Sequence, residues 1–108
     1  MNTATVRSKL AELADRFVTR TAGELVTLRE CVDRASKGDS QAYLQLRDLA
    51  HRIHGTGATL GFTEVGEQAA TIERLAEEQS RDFGAMNACI ARIEDLIHAA
   101  STQRSAIP

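Results

Sequence analysis

The side chains with the greatest chemical reach lie in one stretch, LQLRDLAHRIHGTGATLGF, at residues 44–62. His51 stands at its centre. An imidazole held out in solvent can act as a nucleophile, a proton carrier or a metal ligand near neutral pH. The residues after His51 are unusual for a helix: four of the chain's seven glycines, Gly55, Gly57, Gly61 and Gly66, fall within the next fifteen positions. Each glycine in a helix interior costs about 1 kcal/mol relative to alanine. Accepting that cost at both Gly55 and Gly57 departs from the local rules of helix building, and such departures mark functional positions.

Placed on a helix at about 100° per residue, the stretch separates into two faces. Leu46, Leu49, Ala50, Ile53, Gly57 and Leu60 form the core stripe. His51 points away from it, among Leu44, Arg47, Asp48, Gly55 and Ala58 at spacings of three, four or seven residues. Side chains three and four apart are neighbours on a helix surface. His51 therefore has Arg47 and Asp48 on its N-terminal side and bare backbone at Gly55 on the other. The gap leaves the imidazole open to a large partner, and Leu44 and Ala58 offer that partner apolar contact.

Several chemistries do not fit. No G-x-S-x-G elbow is present, and neither Cys31 nor Cys89 is near a histidine in sequence, so a serine or cysteine nucleophile system is not indicated. The run GTGATLG lacks the Lys-Ser/Thr ending of a phosphate loop and follows no strand. His51 and His54, three apart, have the spacing of a metal pair on one helix. A di-metal bundle, however, takes Glu-x-x-His from two helices with further carboxylates, and this chain has only Asp48-x-x-His51.

The elements that must position His51 are helical throughout. The 108 residues form one domain, 1–108, with a thin core. Hydrophobic residues make up 43%, aromatics 4%, and the only proline is the last residue. A first amphipathic helix is expected over about Thr5–Thr19, with Leu10, Leu13, Ala14 and Phe17 on its stripe. Thr21 and Glu24 then read as a capping box opening a second helix, which buries Leu25, Leu28, Val32 and Ala35 and ends at Lys37-Gly38. Asp39 or Ser40 caps the helix that carries His51, and Gly61 interrupts it. Thr63 caps a fourth helix through Val65, Ala69, Ile72, Leu75 and Ala76. Asp82 caps a fifth, through Phe83, Met86, Ile90, Ile93 and Ile97. From about 102 to 108 a flexible polar tail is expected. Short loops make successive helices antiparallel neighbours. The expected fold is all-α: an antiparallel up-down-up-down four-helix bundle with an additional short N-terminal helix.

The net charge of -2, with no basic block, argues against nucleic acid as a partner. No apolar run approaches the roughly 20 residues that span a bilayer, and the N-terminus has no signal peptide. A cytoplasmic protein with buried, reduced cysteines is expected.

The segment Ala50–Gly61, AHRIHGTGATLG, resembles histidine phosphotransfer (HPt) domains. Their signature is a histidine, an aliphatic residue at +2, usually lysine at +3, glycine at +4, a small residue at +5 and glycine near +10. Here these are His51, Ile53, His54, Gly55, Thr56 and Gly61. The ending TLGF is also similar to the phosphotransfer domain of chemotaxis histidine kinases. The helical pattern from about Thr5 to Ala100 fits the same family.

The resemblance implies that His51 is the phosphoacceptor. It would take a phosphoryl group from a receiver-domain aspartate or a histidine kinase, or hybrid kinase, and pass it to a response regulator receiver. It implies a monomeric carrier rather than an independent catalyst, with no cofactor of its own and magnesium only in the partner receiver. In the chemotaxis branch a glutamate on the next helix holds the other ring nitrogen; the matching position is Glu73. The usual lysine at +3 is His54 here, which is mostly neutral at pH 7. Arg47, one turn before His51, could supply the permanent charge, and a protonated His54 would assist below about pH 6.5. Two other readings compete: a helical adaptor that docks a receiver or kinase without carrying phosphate, and a metal-binding bundle. The Met1 start favours a free-standing protein over a kinase fragment.

Overall fold

The computed structural model describes residues 2–105 and contains four α-helices, with no strand among the described residues. They are α1, Thr3–Ser36; α2, Gln41–Thr59; α3, Thr63–Glu77; and α4, Phe83–Ser105. Both α2 and α4 pack against α1 and α3, so the four helices surround one core. The stripes expected for α2 and α3 are buried, apart from Leu60, which is partly buried just past α2, as are Met86, Ile90, Ile93 and Ile97 of α4.

The separate short N-terminal helix is absent. Thr3–Ser36 is one helix of 34 residues, about 51 Å long at 1.5 Å per residue, which equals the molecule's longest dimension of 51 Å. The T-x-x-E pattern at Thr21 and Glu24 is not a helix start, because a capping residue must have non-helical backbone and nothing before Thr21 breaks the helix. Thr21 instead lies inward, 0% exposed, on an unbroken stripe of Ala14, Phe17, Val18, Thr21, Leu25, Leu28, Val32 and Ala35. Residues 3–13 are exposed on every side. Leu10 and Leu13, expected in the core, are therefore 53% and 47% exposed, because the first turns of α1 extend past the other helices.

The turns share one scheme. At the end of α1, Gly38 takes φ 96°, its N–H donates to Ala35 O, and Asp39 N–H donates to Arg34 O. At the end of α2, Gly61 takes φ 86°, its N–H donates to Ala58 O, and Phe62 N–H donates to Gly57 O. This is the Schellman arrangement, which satisfies the last carbonyls and needs a left-handed residue just past the helix. At the end of α3 the same role falls to Gln79, at φ 50°.

The expected helix starts hold for α2 and α4 and differ for α3. Asp39, not Ser40, caps α2, accepting from Gln41 N–H at 3.0 Å. Thr63 does not cap α3; Phe62 occupies the N-cap position without a side-chain bond and stacks on Phe17 at 5.0 Å between ring centroids. Asp82 does cap α4, accepting from Ala85 N–H at 2.9 Å. Helix α4 continues to Ser105, so residues 102–105 of the expected flexible tail are helical, and 106–108 lie outside the described residues. None of these helices is long and apolar enough to cross a membrane.

Candidate functional site

The site forms where α2 and α3 come closest. Gly57 and Gly66 face each other across that contact. A Cβ on Gly66 would stand 3.4 Å from both the Ala58 nitrogen and the His54 carbonyl oxygen, and one on Gly57 would stand 3.5 Å from the Gly66 nitrogen. Two missing side chains let the backbones touch. Glu73 lies two turns beyond Gly66 on the same side of α3, and the close approach brings its carboxylate within reach of α2.

Both histidines of α2 use that carboxylate. His51 Nδ1 is 2.6 Å from Glu73 Oε2, and His54 Nδ1 is 3.2 Å from Glu73 Oε1. The His51 side chain is 71% exposed and His54 43%, whereas Glu73 is only 16% exposed. Burial pushes the Glu73 carboxyl up, but hydrogen bonds from His51 and then His54 outweigh it and hold the group below its ordinary value. At neutral pH Glu73 is therefore an ionised, acceptor-only group. Each Nδ1 must be the donor, which fixes the tautomer of a ring that carries a single proton: the proton sits on Nδ1, and the lone pair sits on Nε2. His51 thus presents a free nitrogen to solvent while its other nitrogen is held.

Gly55 is exposed, and a Cβ there would meet nothing within 4 Å. Its absent side chain serves no packing inside this chain, and it leaves the space beside His51 open. Leu44, 51% exposed, and exposed Ala58 lie on the same face. Arg47 is paired with the residue next to it. Its guanidinium donates to Asp48 Oδ1 at 2.9 and 3.1 Å. Arg52 turns the other way, to Glu24 on α1 at 3.7 Å.

Thus His51, His54 and Glu73 come together, Gly55 borders them, and Arg47 is tied to its neighbour. The sharing of Glu73 by His54 is not an expectation of the sequence. Its only signal there is the i, i+3 spacing of the two histidines, which reads as a metal pair. His98 is on α4, in a shallow groove against Val18 and Leu25 of α1, apart from this cluster. Among the described residues no three His, Cys, Asp or Glu are grouped to hold a metal ion. Cys31 and Cys89 are buried and unbridged.

The family model of the Hpt domain matches residues 8–103. The chain belongs to the Hpt domain family. Its function is therefore histidine phosphotransfer in the phosphorelays of two-component signalling. No curated protein and no solved structure matches the chain.

Proposed function

We propose that His51 is the phosphoacceptor of this domain, taking a phosphoryl group from the aspartyl phosphate of a receiver domain, or from a histidine kinase, and passing it to a response regulator receiver. The observation that carries this reading is the exposed His51 ring held at Nδ1 by Glu73, with Nε2 open. In the forward step Nε2 forms a bond to phosphorus, and the bond between phosphorus and the aspartyl oxygen breaks. The receiver keeps its carboxylate. The ring, now bonded at both nitrogens, becomes cationic, and the Glu73 carboxylate stands 2.6 Å from Nδ1 to offset that charge. The reverse step returns the phosphoryl group to a second receiver.

The chain supplies a positioned nucleophile and little else; phosphoryl transfer also needs electrostatic stabilisation of the moving group. This reading assigns the magnesium ion and its companion cation to the receiver, and no cofactor to this chain. The open backbone at Gly55 and the exposed Leu44 and Ala58 form the docking face. Arg47 contributes a cation to that face once a partner displaces Asp48 from it. The bundle runs up-down-up-down, an order supported by pairs such as Arg34 with Gln45 and Glu24 with Arg52, which advance along α2 as they retreat along α1. The protein works as a cytoplasmic monomer.

Incubation with a receiver phosphorylated by a small-molecule phosphodonor tests the reading. Label should appear on this chain and be lost in acid while surviving alkali, as phosphohistidine does. A chain that binds the receiver but takes no label would be a docking adaptor instead.

A further inference from the structure

The apolar stripe of α1 continues beyond the bundle it helps to build. Val6, Leu10, Leu13 and Phe17 recur at spacings of four, three and four, the narrow seam of a coiled coil. Phe17 is buried, but Val6, Leu10 and Leu13 are 40%, 53% and 47% exposed. They lie on residues 3–13, exposed on every side, a projection of about 16 Å at 1.5 Å per residue. Single exposed leucines are ordinary; the charge beside these is not. At about 100° per residue, Arg7 lines one edge of the seam and Lys9 and Arg16 the other, while Glu12 and Asp15 fall on the far side. Arg16 meets Glu12 at 3.9 Å with both side chains largely exposed, a weak surface pair. The seam then enters a groove against the end of α2, lined by Leu13, Phe17 and Leu60 and by Arg16 and Arg20.

The flanking charges select the occupant, because such charges set partner choice in paired helices. A second copy, parallel or antiparallel, would bring Arg7, Lys9 and Arg16 against their own kind or against uncharged flanks. A membrane surface takes a broad apolar face, wider than this seam. A helix with acidic flanks matches both the narrow seam and its basic edges.

We propose that the projecting turns of α1 are a docking strip for one helix of a partner protein, a helix whose apolar seam is flanked by aspartate and glutamate. It pairs along Val6, Leu10 and Leu13 and ends in the groove at Leu60. The strip is on α1 and the open face around His51 is on α2, so docking and phosphotransfer use different surfaces, and the proposal does not depend on which residue accepts phosphate.

The test uses the whole chain and two stapled helical peptides with leucine at the seam positions, one with glutamate on both flanks and one with lysine. Fluorescence anisotropy should show the glutamate peptide binding about tenfold more tightly than the lysine peptide, since like charges set against each other are costly. Its affinity should fall between about 0.1 and about 1 M salt, as the screening length drops from about 10 to about 3 Å. Leu10→Gln, at an exposed helical position, should abolish binding and leave transfer from a phosphorylated receiver at the native rate. The double variant Arg7→Glu, Lys9→Glu should reverse the preference to the lysine peptide. Equal affinity for the two peptides, no binding of either, or binding that survives Leu10→Gln would overturn the proposal. So would three outcomes that give the strip another occupant: slowed receiver transfer in Leu10→Gln, binding to phosphatidylserine–phosphatidylcholine vesicles that this variant loses, or a dimer in sedimentation equilibrium that it dissolves.

Discussion

Nδ1 of His51 lies 2.6 Å from Oε2 of Glu73, a contact that crosses from α2 to α3 between residues 22 apart in the chain. Because the carboxylate can only accept, the contact sets the direction of the hydrogen bond and with it the nitrogen left free. Removing the acceptor should release the ring to its other tautomer and leave the cationic product unpaired. Glu73→Ala should therefore slow receiver-to-His51 transfer by about 10- to 100-fold. Stopped-flow or quench measurement of the initial rate checks this, with an unchanged thermal transition showing that the bundle is intact.

Glu73 also links stability to pH. Its folded-state pKa lies below the unfolded value near 4.5, despite burial, because His51 and His54 donate to it. A depressed carboxylate stabilises the fold above the unfolded pKa and loses that contribution as pH falls through the folded one. Glu94 acts in the same sense, chiefly through its hydrogen bond from Arg29. Urea midpoints should fall as pH drops from about 5 to about 3, and Glu73→Gln should make that fall shallower. An equally steep loss in the variant would remove Glu73 from the linkage.

The glycines divide into two kinds that mutation should separate. A Cβ at Gly55 meets nothing, so Gly55→Ala should raise stability by about 1 kcal/mol. It also fills the space beside His51, so the KM for a phosphorylated receiver should rise. Gly66 has backbone atoms of Ala58 and His54 at 3.4 Å from the position of a Cβ. Gly66→Leu should cost about 1–3 kcal/mol by forcing α2 and α3 apart, and should slow transfer by moving Glu73 from the histidines. Calorimetry with transfer kinetics distinguishes the two patterns.

Thr21 offers a test of the uninterrupted α1. Its hydroxyl is fully buried and has no hydrogen-bond partner, a state that costs about 1–3 kcal/mol. Thr21→Val, nearly the same shape without the hydroxyl, should raise stability by about 1 kcal/mol, or about 4 °C in Tm. If Thr21 were the cap of a second helix, the same change would lower it.

The contrast at Thr21 shows how much the sequence made legible. The inward stripes of α2, α3 and α4, the glycine stops after α1 and α2 and the outward placing of His51 come from periodicity and turn chemistry. The run Ala14, Phe17, Val18, Thr21, Leu25, Leu28 is equally periodic, but its one polar member has the look of a cap, and the local T-x-x-E pattern obscures the longer repeat. Whether Leu10 and Leu13 are covered cannot be read locally, because it depends on how far the other three helices reach along α1. Glu73 emerges by resemblance alone. That its carboxylate also takes His54 depends on the approach of α2 to α3 at Gly57 and Gly66, a distance that no one-dimensional pattern records.

The most direct measurement locates the phosphoryl group. The native chain, His51→Gln and His54→Gln should each be incubated with the same phosphorylated receiver and the acid-labile label counted on each. The native chain and His54→Gln should both become labelled, His54→Gln more slowly, and His51→Gln should take none. Label retained by His51→Gln, or lost only in His54→Gln, would contradict His51 as the acceptor.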